Sequence, residues 1–138
     1  MRNKRFNILL SIALLLLVGW MLKGTFSQPS ASDLKGGFKE VTHYRNENNT
    51  GPVQYVFIVT LKDTLGAEME EYGNFKPHMK GGNTKVYFFQ EGRPTPTNAF
   101  SGKVNFDPKF NSSCIALYEK SAMGNVSLNL IKQKPKIQ

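Results

Sequence analysis

Residues 6–22 carry no charged side chain, and almost every position between Phe6 and Leu22 is apolar. This run limits the chain more than any other feature. Fully burying one Leu is worth ~1.5–3 kcal/mol, so Ile8, Leu14, Leu17 and their neighbours cannot stand in water on the surface of a small domain. They need lipid or a translocon. As a helix the run would reach about 25 Å at ~1.5 Å per residue, the low end of what a bilayer requires.

The flanks give the run a direction. Arg2, Lys4 and Arg5 precede it and no acid occurs before Asp33. Basic residues ahead of an apolar helix hold the N-terminus in the cytoplasm, so the remainder is sent across the membrane. Two fates compete. A cleaved signal peptide has a shorter apolar core and small residues before the cut, and Thr25-Phe26-Ser27 before Gln28 is a passable site. A retained anchor fits Trp20 near the outer interface and Lys23 just beyond, snorkelling to the headgroups. The lack of an Ala-x-Ala site favours the anchor over 1–23. No Cys lies near residue 22, which excludes a bacterial-type lipid attachment there.

Away from this helix the charge is modest. The chain is +8, but residues 28–138 hold 14 basic groups and all 10 acids, so that part is only +4. Glu68, Glu70 and Glu71 cluster against the basic groups. A nucleic-acid binder concentrates Lys and Arg on one face, so no nucleic-acid partner is expected. Lys132, Lys134 and Lys136 read as a solvated basic tail over 133–138. A single Cys rules out an intramolecular disulfide framework and a multi-cysteine zinc site, and the length suits one small domain.

Residues 24–37 are rich in Ser, Gly, Pro and Gln and read as a flexible tether. The domain proper is expected over 38–132. A first strand spans 38–44, followed by a polar loop over 45–52. Residues 53–61 are β-branched and aromatic, and apolar on both alternating sets, the pattern of a central strand covered on both faces. Leu65, Met69 and Tyr72 then recur at helical spacing. This predicts a short helix over 64–72, capped by Asp63 or Thr64, closed by Gly73, with Glu68, Glu70 and Glu71 outward. Strands follow at 85–90 and, shorter, at 103–106, stopped by Asp107-Pro108. A hairpin of 114–118 and 125–131 ends the domain, turning at Met123-Gly124-Asn125. The fold class is α+β: a small, mainly antiparallel sheet with one short helix behind the N-terminal membrane or signal helix. The alternative is an immunoglobulin-like β-sandwich.

No residue pattern announces a reaction. His78 follows Pro77 in a loop and could act as a base, yet no nucleophile elbow accompanies any Ser. His43 reads as a strand-edge residue. Cys114 heads an apolar strand with no local His or helix N-terminus to lower its thiol pKa, so it reads as a buried structural Cys. His78, Met79, Cys114 and Met123 are ligand types that suit copper, but no His lies between Cys114 and Met123, as a blue-copper pattern requires. Glu68 and Glu71 fall on the face opposite the apolar stripe. The Lys80-Gly-Gly-Asn-Thr84 turn lacks the spacing of a phosphate-binding loop. Asn48, Asn111 and Asn125 head Asn-x-Ser/Thr triplets, which matter only in a host that glycosylates exported proteins.

The resulting expectation is a membrane-tethered extracytoplasmic domain, not an enzyme and without a cofactor, that contacts lipid through its first helix and another envelope protein through its loops. Arg45, Arg93 and Phe100, in loops 45–52 and 91–102, are the candidate contact residues, since interfaces favour Arg and aromatic side chains. A small-ligand or metal carrier of the envelope is the second expectation. A small hydrolase using His78 is the third.

Overall fold

The computed structural model describes residues 3–26 and 29–131. The expected cleavage junction at Ser27 and Gln28, and the basic tail with Lys132, Lys134 and Lys136, lie outside the described residues. The chain divides into two compact units, Met1–Ser30 and Ala31–Gln138.

The first unit is one helix, α1 (Lys4–Phe26), with no buried residue. Apolar side chains cover it on every side, so it has no face reserved for a protein core. Its two described hydroxyl side chains are bonded within the helix: that of Ser11 donates to the Asn7 carbonyl and that of Thr25 to the Met21 carbonyl. The helix is long and apolar enough to cross a membrane, a test that a signal sequence also passes.

The second unit is built on a single five-stranded sheet in the order β1 (Lys39–Arg45), β2 (Gln54–Leu61), β3 (Asn83–Gln90), β4 (Cys114–Lys120), β5 (Val126–Leu130). One short helix, α2 (Met69–Asn74), lies between β2 and β3 in the chain. Three of the four strand pairings are antiparallel, and the β2–β3 pairing is parallel. The fold is therefore α+β with a mixed sheet. The described strands form one sheet and not the two stacked layers of an immunoglobulin-like sandwich. The parallel pair follows from the segment 62–82, which is long enough to carry the chain back to the starting end of β2.

β2 and β3 are buried on both faces. Val59, Leu61, Val86 and Phe88 point to one side, where Met69, Tyr72, Ala116 and Tyr118 complete a cluster. Ile58 and Phe89 point to the other, against Phe106 and Cys114, with Phe110 and Ala99 alongside. Cys114 joins the second cluster because the β3–β4 register shifts between Phe88 and Phe89, so Phe89 faces Cys114 instead of Ile115. Phe88 is fully buried, and its truncation to Ala would cost about 3–5 kcal/mol.

Four expectations are corrected. The helix begins at Met69, not at residue 64. Asp63 does not cap it: the N-cap is Glu68, with no side-chain cap, while the Asp63 carboxylate accepts from the Leu65 N–H in a tight turn, and Gly66 adopts a left-handed φ of 71° that breaks helical continuity. Leu65 is consequently 86% exposed instead of lying on an apolar stripe. Second, Gly73 does not end the helix. It lies inside α2, where a Cβ would collide with the Tyr118 ring. Third, residues 103–106 form no strand. Asn105 is buried there and organises the loop, and Asp107 caps the 3-10 turn Pro108–Ser113 by accepting from the Lys109 N–H. Fourth, much of the stretch expected as a tether is structured, beginning with residues 24–26, which belong to α1. From Ala31 onward it packs on the sheet through Ala31 and Leu34, and the Gly36 carbonyl accepts from the N–H groups of Lys62 and Asp63.

Candidate functional site

Among the described residues, Glu40, His43 and Lys76 form the one cluster in which charged side chains converge on a partly buried position. A β-bulge brings it together. The β1–β2 register shifts between Glu40 and Thr42, leaving Val41 as the extra residue. Glu40 opposite Val59 and His43 opposite Phe57 then share the face of the sheet that α2 covers, although an unbroken strand would put them on opposite faces. His43 Nδ1 lies 2.8 Å from Glu40 Oε1, and Lys76 Nζ lies 2.6 Å from Glu40 Oε2.

Aromatic rings complete the cluster. The Lys76 ammonium sits 4.8 Å from the Phe57 ring centroid and 4.7 Å from that of Tyr72, within cation–π reach. Burial works against the charged form of both partners. For Glu40, the Lys76 hydrogen bond and charge, with a smaller share from His43, outweigh that burial and hold the carboxyl below its ordinary value. For Lys76, burial is outweighed by Glu40 and Tyr72, and the ammonium is held above its ordinary value. A lysine kept protonated in this way is a poor nucleophile or base at neutral pH. The arrangement is a clamp between the first strand and the segment after α2.

The three candidate contact residues do not converge. Arg45 ends β1, where its Nε donates to the Tyr55 hydroxyl at 3.3 Å and its Nη1 to Asn48 Oδ1 at 3.0 Å. The 46–53 loop is ordered by Asn46, whose Nδ2 donates to Thr50 and the Pro52 carbonyl while its Oδ1 accepts from the Gln54 N–H. Arg93 follows β3, and its N–H donates to the Gln90 carbonyl. Because β3 runs parallel to β2, that turn lies beside Leu61 and Arg45 lies beside Tyr55. The two arginines are thus at opposite ends of the sheet, about 20 Å apart along β2. Phe100 is 48% exposed, in a loop pinned by Asn105, whose Nδ2 donates to the Phe100 and Gly102 carbonyls and whose Oδ1 accepts from the Tyr87 hydroxyl.

The remaining residues singled out by sequence are also dispersed. His78 Nδ1 is 3.0 Å from the Thr84 hydroxyl, which itself donates to the Pro77 carbonyl. Nδ1 must therefore carry the proton and donate to Thr84, so Thr84 is not activated by the imidazole. Burial, then the charge of Lys120, lowers the His78 pKa. Cys114 is buried, its Sγ–H directed at the Ala116 carbonyl, and burial pushes its thiol up to about 11. Met123 is 87% exposed in the β4–β5 turn, at the opposite end of β4 from Cys114, while His78 sits near Thr84, the partner of Lys120. A copper site using all four residues is not assembled. Among the described residues no three His, Cys, Asp or Glu side chains group as a metal site would need. Glu68 is not simply outward. Its Oε2 accepts from the Lys35 N–H at 2.7 Å and its own N–H donates to the Lys35 carbonyl, fastening the segment before β1.

Sequence reasoning missed the Glu40–Lys76 clamp. The signal for it was weak: Lys76 is a lone cation after a helix, and nothing in the spacing of residues 39–43 reveals the bulge. Comparison with known proteins gives no match to a family model, to a curated protein or to a solved structure.

Proposed function

We propose that the chain is a membrane-tethered extracytoplasmic module that works by contacting another protein of the cell envelope, without catalysis of its own. The observation that carries this reading is α1, a 23-residue helix apolar on all sides with none of its residues buried. Lys4 and Arg5 at its start support an N-terminus held in the cytoplasm. Trp20 and Lys23 toward its end suit an outer interface, and such a helix left unpartnered in water would aggregate.

The folded domain supports an interaction role in a simpler way. Its charged cluster is a structural clamp, and His78 and Cys114 are each occupied by local contacts. Arg45 at the end of β1 and the loop residues Arg93 and Phe100 stay the positions proposed for contact, but Arg45 and Arg93 would serve separate surfaces.

The test is membrane fractionation of cells expressing the full chain, with carbonate extraction and protease digestion from the outside. Retention in carbonate-washed membranes, digestion of the domain by external protease, and a sequenced N-terminus at Met1 or Arg2 are expected. A mature start at Gln28 replaces the anchor by a cleaved signal. Recovery of the intact chain in the cytosol overturns export altogether.

A further inference from the structure

The two edges of the sheet differ in chemistry. β1 carries Lys39, Glu40 and Arg45 and is broken by the bulge at Val41, devices that discourage pairing with another strand. β5 reads Val-Ser-Leu-Asn-Leu, with no charge, no Pro and a continuous register against β4. Val126 is 39% and Leu130 67% exposed on the face that α2 covers only in part.

The hydrogen-bond phase of β5 is readable. The Ile131 N–H donates to the Ile115 carbonyl, and the Asn125 carbonyl accepts from the Ser121 N–H. Odd-numbered residues of the strand therefore turn their backbone groups toward β4. By strict alternation Val126, Leu128 and Leu130 turn theirs outward. β5 ends the sheet order, and no described element pairs with its outer edge.

We propose that this edge pairs with the β5 of a second copy of the chain, antiparallel about a two-fold axis at Leu128. In that register Leu128 faces Leu128 of the partner, and Val126 faces the partner's Leu130 on both sides of the axis. Each facing pair is one of outward-directed residues, so all three N–H and all three carbonyl groups of each edge are satisfied at once. Side chains match as well. Val and Leu meet on one face of the joined sheet, and Ser127 and Asn129 meet on the other. Cross-strand apolar pairs of this kind contribute ~0.2–1 kcal/mol each. The same operation on β1 about Thr42 would set Lys39 against the partner's Arg45, a repulsive pair. Charge thus selects β5 over β1 for a self-contact. The inference deepens the reading of the domain as an interaction module, and its test is independent of where the protein resides.

The experiment uses the full chain in detergent micelles, with sedimentation equilibrium and a short bifunctional thiol cross-linker. Buried Cys114 leaves the native chain without an accessible thiol. Leu128→Cys should cross-link to a dimer, because the two positions face each other across the axis. Leu130→Cys should not, because its copies are offset by about 14 Å along the strands. Leu130→Lys and Leu130→Pro, at an exposed position whose N–H points away from β4, should abolish the dimer while leaving the circular dichroism spectrum unchanged. A monomer at all concentrations overturns the proposal. So does equal cross-linking of Leu128→Cys and Leu130→Cys, or a dimer that persists in Leu130→Pro, which would place the contact elsewhere. Failure of export would appear in fractionation and leave these readouts unaltered.

Discussion

Lys76 Nζ lies 2.6 Å from Glu40 Oε2, joining the segment after α2 to the outermost strand on that side of the sheet. The link spans residues far apart in sequence and encloses the Tyr72 and Phe57 rings beneath it. Replacing Lys76 by Met leaves the partly buried Glu40 carboxylate with only His43 beside it, and should cost about 1–3 kcal/mol. Glu40→Gln should cost less, and a double-mutant cycle by urea denaturation of the full chain should show coupling of about 1 kcal/mol. Additive effects would show that the pair contributes no specific attraction.

The same pair sets a pH window. Glu40 is lowered from 4.5, so its contribution is present above that value and fades as the pH falls through the folded-state pKa. Lys76 is raised from 10.5, so its contribution is complete below that value and fades as the pH rises through its folded-state pKa. The stability difference between native chain and Lys76→Met should be flat from about pH 5 to pH 10 and shrink on either side. A difference that varies across this range would show that the Glu40–Lys76 pair does not set it.

Gly73→Ala forces a methyl group into the Tyr118 ring. Overpacking of this kind costs about 1–3 kcal/mol, and helix propensity would return at most ~1 kcal/mol of it. Net destabilisation is expected in thermal melts. Tyr118→Leu should reduce the penalty of Gly73→Ala by opening space, while Tyr118→Phe should not, since it removes only the hydrogen bond to Asn74 Oδ1.

Cys114 should resist thiol reagents in the folded protein. Burial and a thiol pushed to about 11 both suppress the thiolate. At pH 8 labelling by a disulfide reagent should follow the rate of unfolding, and should become immediate in 6 M guanidinium. Fast labelling of the native chain would show that the strand carrying Cys114 opens locally.

Asn105→Leu removes the donor to two carbonyls and the acceptor of the Tyr87 hydroxyl in one step. A loss of about 2–4 kcal/mol is expected from the unpaired groups left behind. The Tyr87 phenol is pushed up to about 12, first by burial. In an ultraviolet titration it should ionise well above the ordinary tyrosine value, and in Asn105→Leu its ionisation should move to lower pH.

The parts of this fold that sequence reveals are those set by neighbours in the chain. Residues 53–61 announce double-sided burial because both alternating sets are apolar, and β2 is so buried. The hairpin at 121–125 is legible from Gly124 beside Asn125. Asp107-Pro108 marks a boundary, but it opens the 3-10 turn Pro108–Ser113 and does not stop a strand. The misses have other causes. Leu65, Met69 and Tyr72 have helical spacing, but the left-handed Gly66 and the turn at Asp63 delay the helix to Met69. The bulge at Val41 and the parallel pairing of β2 with β3 depend on contacts between distant segments, which no local pattern encodes. Arg45, Arg93 and Phe100 stand out by residue type, and type alone says nothing about which end of a sheet a residue occupies.

The parallel seam between β2 and β3 also constrains how the domain assembles. β1 with β2, and β4 with β5, can each zip up across a short connection. The central pair must wait for the intervening 62–82 stretch to close, which carries the larger entropic toll. Residues 91–113 form an equally long connection from β3 to β4, so two quickly formed hairpins waiting on β3 would leave the apolar edges of β2 and β4 bare until late. Point substitutions at Val59 or Phe88 would then retard refolding more than equally costly ones at Tyr44 or Leu130.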